Sequence, residues 1–112
     1  MPRKAIPKIK LPAIIRVESV VARVAQVDRA ALFAAPGAPA TERAINLLIV
    51  ALRDFALCDT DTILARYAFL TRHTLVTRLY NTYQRLNSNP DYQKLYASIQ
   101  TRLQAPKASP AT

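Results

Sequence analysis

The stretch that decides the fold is residues 62–86, TILARYAFLTRHTLVTRLYNTYQRL. Its apolar residues recur at helical spacing, which predicts two short helices joined by a tight turn at Phe69 and Leu70. No Asp or Glu occurs from residue 62 to residue 90, and the second helix carries a polar, basic side. We therefore expect a helix-turn-helix whose second helix contacts a negatively charged partner.

The composition indicates one small all-α domain. A chain of 112 residues, of which 51% are hydrophobic, has room for one folded body and enough apolar side chains to fill its core. Its Val and Ile residues do not form the alternating runs that are typical of strands. The prediction is a helical bundle of five to six helices that contains the helix-turn-helix.

The formal charge of +9 favours a polyanionic partner, which is either a nucleic acid or an anionic membrane surface. The longest apolar run, residues 47–52, is far too short to cross a bilayer, and no membrane partner is expected. Cys58 is the only cysteine, which excludes an internal disulfide and fits a reducing compartment. Its surroundings in sequence favour a packed side chain over a reactive thiol. We expect a cytoplasmic, nucleoid-associated protein, and the sequence leaves its oligomeric state open.

The segments before the helix-turn-helix predict its scaffold. Valines recur at helical spacing over residues 14–27, and residues 29–34 predict a short second helix that Asp28 can cap. The following AAPGAPA holds the only Gly and is a loop. Thr41 is then the expected N-cap of a helix that includes residues 43–57. Because this helix is apolar almost all round, we expect it at the centre of the bundle.

Two capping signals bound the remaining helices. Asp59 or Asp61 is the expected cap of the first helix of the helix-turn-helix. The Asn-Pro pair at 89–90 predicts the start of a last amphipathic helix that closes the bundle. Its tyrosines, which include Tyr92 and Tyr96, fit the core and its rim better than a base-stacking platform.

The second helix of the pair is the candidate binding element. It begins after Thr71, its expected N-cap, and at about 100° per residue one of its sides is apolar and packs inward. That side consists of Leu75, Leu79, Tyr83 and Leu86. The opposite side has the hydroxyl, amide and guanidinium groups that read base edges and hold phosphates. It consists of Thr71, Thr74, Thr77, Arg78, Asn81, Gln84 and Arg85. An ordinary solvated helix face is the alternative interpretation.

The two ends of the sequence have compositions that do not favour packing. Residues 1–13 hold three prolines and four cations and predict a flexible basic arm, while residues 105–112 predict a disordered tail. The cations of the arm are Arg3, Lys4, Lys8 and Lys10. The arm either contacts phosphates or a minor groove, or it only adds solubility. The folded domain is expected over residues 14–104.

The order of elements resembles the C-terminal, box-binding domain of the bacterial replication initiator DnaA, a Trp-repressor-like helix-turn-helix domain. The run IIRVESVVARVAQVDRAALF is followed by a loop, by ERAINLLIVALRDF, by the helix-turn-helix and by a last helix. The resemblance covers residues 14–103. It implies double-stranded DNA as the partner, a role in regulating replication or transcription, and a replication or transcription protein as a candidate second partner.

The recognition motif matches the family in part. The family signature ends Gly-Gly-Arg-Asp-His-Thr-Thr-Val, and His73 and Thr74 match its base-reading His and first Thr. Arg43 matches a basic position near the loop that enters the minor groove in the family. Arg72 replaces the Asp, Leu75 replaces the second Thr, and the glycine pair is absent. The resemblance therefore implies a shared scaffold with a different target site.

The residue pattern and the resemblance together give one set of expected DNA contacts. It consists of Thr71, Arg72, His73, Thr74, Thr77, Arg78, Asn81, Arg85, Arg43, Arg66, Arg3, Lys4, Lys8 and Lys10.

No catalytic chemistry is indicated by the sequence. The chain has no GxxxxGK[ST] loop to bind nucleotide phosphates, and its single His has no second ligand or nucleophile nearby in sequence. We expect a protein that is not an enzyme and that needs no cofactor or metal. The alternative to DNA binding is a protein-interaction module that keeps the bundle without reading DNA. Such a module is an adaptor, a phage- or plasmid-type inhibitor, or a small ribonucleoprotein component.

Overall fold

The computed structural model describes residues 10–104, and this part of the chain is an all-α bundle of five α-helices and one 3₁₀ helix, with no strand. The helices are α1 (Leu11–Ala25), the 3₁₀ helix (Arg29–Phe33), α2 (Pro39–Phe55), α3 (Thr60–Arg66), α4 (Arg72–Ser88) and α5 (Pro90–Gln104). The expected all-α bundle is confirmed. The N-terminal arm up to residue 9 and the tail over residues 105–112 lie outside the described residues.

Helix starts follow the capping chemistry of the sequence in two places. The Asp59 carboxylate accepts a hydrogen bond from the Thr62 backbone N–H at 2.9 Å and caps α3. Thr71 caps α4 through its hydroxyl, as expected. Both side chains satisfy a backbone donor that has no partner within its own helix.

Other helix starts differ from the prediction. Helix α2 begins at Pro39 with Ala38 at the N-cap, so that Thr41 lies inside the helix and does not cap it. Proline is favoured in the first turn because its missing N–H has no role there. Helix α1 begins at Leu11, so that residues 11–13, which the sequence predicts as part of the arm, form its first turn. The Asp28 side chain makes no capping hydrogen bond to the 3₁₀ helix.

Helix α2 is the centre of the bundle, as predicted. Every residue from Ala44 to Leu52 is buried, while α1, α4 and α5 pack around the helix. The buried apolar side chains of all these helices form one core cluster. Burial of each large aliphatic side chain stabilises the fold by about 1.5–3 kcal/mol, which makes α2 the main source of hydrophobic stabilisation.

The first and last helices also contact each other. The Arg16 guanidinium donates to the backbone carbonyls of Leu103 and Arg102, both at 3.1 Å. These carbonyls belong to the last turn of α5, where helical carbonyls lack intrahelical partners. None of the five α-helices formed by residues 10–104 is both long and apolar enough to cross a lipid bilayer.

Candidate nucleic-acid interface

The turn between α3 and α4, residues 67–71, is fixed to the core by two buried side chains, Tyr67 and Leu70. The Leu70 backbone N–H donates to the Tyr67 carbonyl at 3.0 Å, which closes the turn. These apolar anchors hold the turn without a glycine pair. Because the turn is held in this way, the first turn of α4 is presented at the surface.

The first turn of α4 is stabilised by a capping box. The Thr74 backbone N–H donates to the Thr71 hydroxyl at 3.1 Å, and the Thr71 backbone N–H donates to the Thr74 hydroxyl at 2.9 Å. Threonine here takes the place of the usual Glu or Gln three residues after the cap. Both residues are exposed, as expected for DNA contacts, but their hydroxyls already have partners within the helix end.

The outer side of α4 is exposed and has no acidic residue of its own. Thr71, Arg72, His73, Thr74, Thr77, Asn81, Gln84 and Arg85 are all exposed. At about 100° per residue, four of them share one side of the helix: His73, Thr77, Asn81 and Gln84. We name the exposed polar residues His73, Thr77, Asn81 and Gln84 the outer face of α4. This face offers hydrogen-bond donors and acceptors to a ligand without a carboxylate on the same helix to repel phosphates.

The inner side of α4 differs from the prediction at two positions, Thr82 and Tyr83. Leu75 and Leu79 are buried, and Leu86 is half-buried against the core, as expected. Thr82 is also fully buried, whereas Tyr83 is exposed over 40% of its surface. The Thr82 hydroxyl is the one buried side-chain polar atom within residues 10–104 that has no hydrogen-bond partner. At about 100° per residue Thr82 lies only about 20° from Leu75, so its polar side chain, and not its direction, kept it out of the prediction.

Arg78 was expected on the outward side of α4, and this was wrong. Its guanidinium binds the Glu42 carboxylate and donates to the Asn46 side-chain oxygen at 2.9 Å. Only 20% of the Arg78 side chain is exposed. Arg78 therefore joins α4 to α2.

Arg66 was expected to contact DNA, but it binds a buried carboxylate of the bundle. The Glu18 side chain is completely buried and accepts hydrogen bonds from Arg66 at 2.5 and 2.8 Å, from Arg29 at 2.9 Å and from the Tyr67 hydroxyl at 2.5 Å. Only 18% of the Arg66 side chain is exposed. We name these four residues the Glu18 cluster; it joins α1 to the 3₁₀ helix and to the end of α3.

The Glu18 cluster shifts the ionisation of its members. Burial by itself raises the pKa of the Glu18 carboxyl, but the hydrogen bonds from Arg66, Tyr67 and Arg29 outweigh it and hold the pKa below the usual value of 4.5. Burial and the neighbouring carboxylate raise the pKa of the Tyr67 hydroxyl far above its usual value. Glu18 is therefore ionised and Tyr67 neutral at pH 7, and the cluster serves the fold.

The other predicted cations are placed in different ways. Arg72 forms an ion pair with Asp61 at 2.6 Å, and both side chains are largely exposed. Arg85 is exposed and lies with its guanidinium 5.4 Å from the centre of the Tyr92 ring, to whose hydroxyl it donates at 3.1 Å. Arg43 is half-buried in α2.

Of the basic arm, only Lys10 is placed by the structure. Its ammonium donates to the Leu57 carbonyl at 2.8 Å, which attaches the start of α1 to the segment between α2 and α3. Arg3, Lys4 and Lys8 lie outside the described residues.

A groove beside the outer face of α4 was not predicted. It measures about 310 Å³ and is lined by Arg53, Thr60, Val76, Leu79, Tyr80 and Tyr83. The signal in the sequence is the spacing of Val76, Tyr80 and Tyr83, which places a second apolar stripe on α4. The sequence prediction places Tyr83 in the core and gives Val76 and Tyr80 no role in binding.

Two other sequence interpretations concern side chains away from α4. Cys58 is buried, and its burial raises the pKa of the thiol, as expected for a packed cysteine. Tyr92 and Tyr96 are also buried, which confirms their place in the core. Within residues 10–104, no group of three or more His, Cys, Asp or Glu side chains is arranged to hold a metal ion.

Comparisons of the chain with models of protein families, with curated proteins and with solved structures found no match.

Proposed function

We propose that this chain is a double-stranded DNA-binding protein that prefers particular sites and that regulates replication or transcription. In this proposal α3 and α4 act as a helix-turn-helix, and α4 enters the major groove. The proposal extends the resemblance to the box-binding domain of DnaA and describes a binding protein rather than an enzyme.

The observation that carries the proposal is the exposed outer face of α4 together with the absence of Asp and Glu from that helix. His73 lies in the first turn, and Thr77 and Asn81 follow at four-residue intervals on the same side. Asparagine and hydroxyl side chains form hydrogen bonds with base edges, and residues early in a recognition helix are those that reach them. The net charge of +9 supplies the attraction to phosphates that all duplexes share.

Asn81→Ala tests the proposed contact with bases. Binding is measured by fluorescence anisotropy on a duplex selected from a random pool and on an unrelated duplex of equal length. We expect the variant to lose about 1–3 kcal/mol of discrimination between the two duplexes where Asn81 contacts a base. Gln100→Ala, an exposed amide on α5, is the matched control and is expected to bind as the parent does.

The salt dependence of the same measurement tests the proposal as a whole. The logarithm of the binding constant should fall linearly with the logarithm of the salt concentration, with a slope set by the number of phosphates neutralised. If binding to every duplex were undetectable or insensitive to salt, the proposal of DNA binding would be wrong.

A protein-interaction module is the second candidate function, and the positions of Arg66 and Arg78 favour it. Both guanidinium groups bind carboxylates of the bundle itself, so they add little to the charge of the α4 surface. Guanidinium groups used inside the bundle are not free to bind phosphates, which a protein-interaction module does not require. The salt-dependence experiment separates the two candidates.

A further inference from the structure

The groove beside α4 exposes apolar and aromatic side chains without any cover from the described chain. Val76, Tyr80 and Tyr83 are exposed over 55%, 65% and 40% of their surfaces, and Leu79 contributes to the lining. The three exposed residues recur at four- and three-residue spacing and so lie along one side of α4. Such a contiguous apolar stripe marks a binding surface more often than do scattered exposed residues.

The polar lining of the groove comes from the two preceding helices. Arg53 from α2 and Thr60 from α3 line it opposite the stripe. The Tyr83 hydroxyl donates a long hydrogen bond of 3.4 Å to the Asp54 carboxylate, which lies at the edge of the groove. The groove thus presents two tyrosine rings, the Arg53 guanidinium and the Thr60 hydroxyl to a ligand, with one carboxylate at its edge.

The size of the groove favours a small, flat occupant. From Val76 to Tyr83 the stripe extends over about 10 Å, at a rise of about 1.5 Å per residue. A stable protein–protein interface buries about 800 Å² on each partner, which is far more than three side chains supply. One or two planar rings fit the dimensions better.

The charges favour a polyanion. The chain carries +9 and Arg53 lines the groove, while the neighbouring Asp54 carboxylate accepts hydrogen bonds from the Tyr83 and Tyr96 hydroxyls. The arm itself and a second copy of the chain are both cationic, and Arg53 would repel either. A strand of unpaired nucleotides has both the planar rings and the negative charge.

We propose that this groove binds single-stranded nucleic acid, with unpaired bases stacked on Tyr80 and Tyr83 and a phosphate bound by Arg53. Stacking on aromatic rings next to a cationic group is the common mode of single-strand binding that does not depend on sequence. The site uses the side of α4 next to its outer face, and the proposal does not rest on duplex binding.

Tyr80→Leu and Tyr80→Phe test the stacking. Fluorescein-labelled oligothymidylate and oligouridylate of sixteen residues are titrated with the parent and each variant, with fluorescence anisotropy as the readout. We expect Tyr80→Leu to weaken binding to both strands by about 5- to 100-fold, and Tyr80→Phe to bind as the parent does, because an aromatic ring is kept. Tyr80 is largely exposed, so both variants should fold, which far-ultraviolet circular dichroism checks.

Arg53→Gln tests the phosphate contact, and Lys94→Gln is its control. Each removes one exposed cation, but only Arg53 lines the groove. Arg53→Gln should weaken strand binding several-fold more than Lys94→Gln does, and the salt slope should become shallower by about one. Equal losses from the two variants would overturn the assignment of Arg53.

The inference as a whole would be overturned if the parent bound neither oligonucleotide, or if the parent and Tyr80→Leu bound them equally. It would also be overturned if library peptides bound in a Tyr80-dependent way while neither oligonucleotide bound, because that result would indicate a protein partner. The same variants titrated with duplex DNA separate this inference from the proposed function. If Tyr80→Leu loses single-strand binding but keeps duplex binding, the assignment of single strands to the groove is supported. If the parent binds no duplex, only the proposal of duplex binding is overturned.

Discussion

Arg66 and Arg72 stand at the two ends of the turn between α3 and α4, and their surroundings are opposite. Arg66 binds a completely buried carboxylate, whereas Arg72 pairs with Asp61 at the surface. Both are arginines in the same acid-free stretch of sequence, yet one holds the bundle together and the other faces solvent. The comparison teaches that the charge available to a ligand depends on burial as well as on the number of cations.

Glu18→Gln tests the buried member of this comparison, because it removes the charged acceptor of Arg66. The change leaves the Arg66 guanidinium and the Tyr67 hydroxyl without their charged acceptor in a buried place, and removal of one partner of a buried ion pair costs about 3–5 kcal/mol. Urea unfolding followed by circular dichroism measures the loss. A change below about 1 kcal/mol would show that Arg66 finds another partner or reaches water.

Acid should weaken the parent through the same cluster. The pKa of Glu18 is lower in the folded state than its usual 4.5, so its stabilisation is complete above that value and is lost as the pH falls through the folded pKa. We expect the difference in free energy of unfolding between the parent and Glu18→Gln to shrink in this acidic range. Urea unfolding from about pH 7 down to about pH 3 measures it. A constant difference over the range would contradict the prediction.

Arg78→Gln tests an ion pair whose burial lies between those of the Arg66 and Arg72 pairs. Arg78 is mostly buried and binds the partly exposed Glu42 and the buried Asn46. Hydrogen bonds of this charged kind contribute about 1.5–3 kcal/mol. We expect the free energy of unfolding to fall by about that amount while discrimination between duplexes stays the same, because the guanidinium faces α2. Lost discrimination without lost stability would return Arg78 to the binding surface.

Asp61→Asn is expected to change the stability least of these substitutions. An exposed ion pair contributes about 0–1 kcal/mol, so the stability should hardly move. Duplex binding should instead become slightly tighter at low salt, because a negative charge disappears and Arg72 loses its competing partner. Anisotropy at two salt concentrations measures this gain. Unchanged or weaker binding at low salt would place Arg72 outside the contact surface.

Much of the fold could be predicted because its signals are local. The apolar run around Leu48 predicts a central helix, and the caps Asp59 and Thr71 give the starts of α3 and α4 to within a residue. Helix starts made by proline were misplaced where a better capping residue followed: Thr41 has the right chemistry, but Pro39 starts α2 two residues earlier.

The candidate site was harder to predict because long side chains bind partners that are distant in sequence. Arg78 meets Glu42 and Arg66 meets Glu18 only after the bundle has formed. A helical projection gives the direction of a Cα–Cβ bond, but it does not show where a flexible guanidinium binds. The groove at Tyr80 was missed for a related reason, since its lining also includes Arg53 of α2 and Thr60 of α3.

The contact of Arg16 with the end of α5 has an architectural consequence. It joins the two helices that are farthest apart in sequence, because a side chain of α1 satisfies carbonyls in the last turn of α5. Such a contact closes a long loop of chain, and the entropy lost in closing it is offset only when the rest of the bundle has packed. Fraying of the end of α5 is therefore opposed by the opposite end of the described chain.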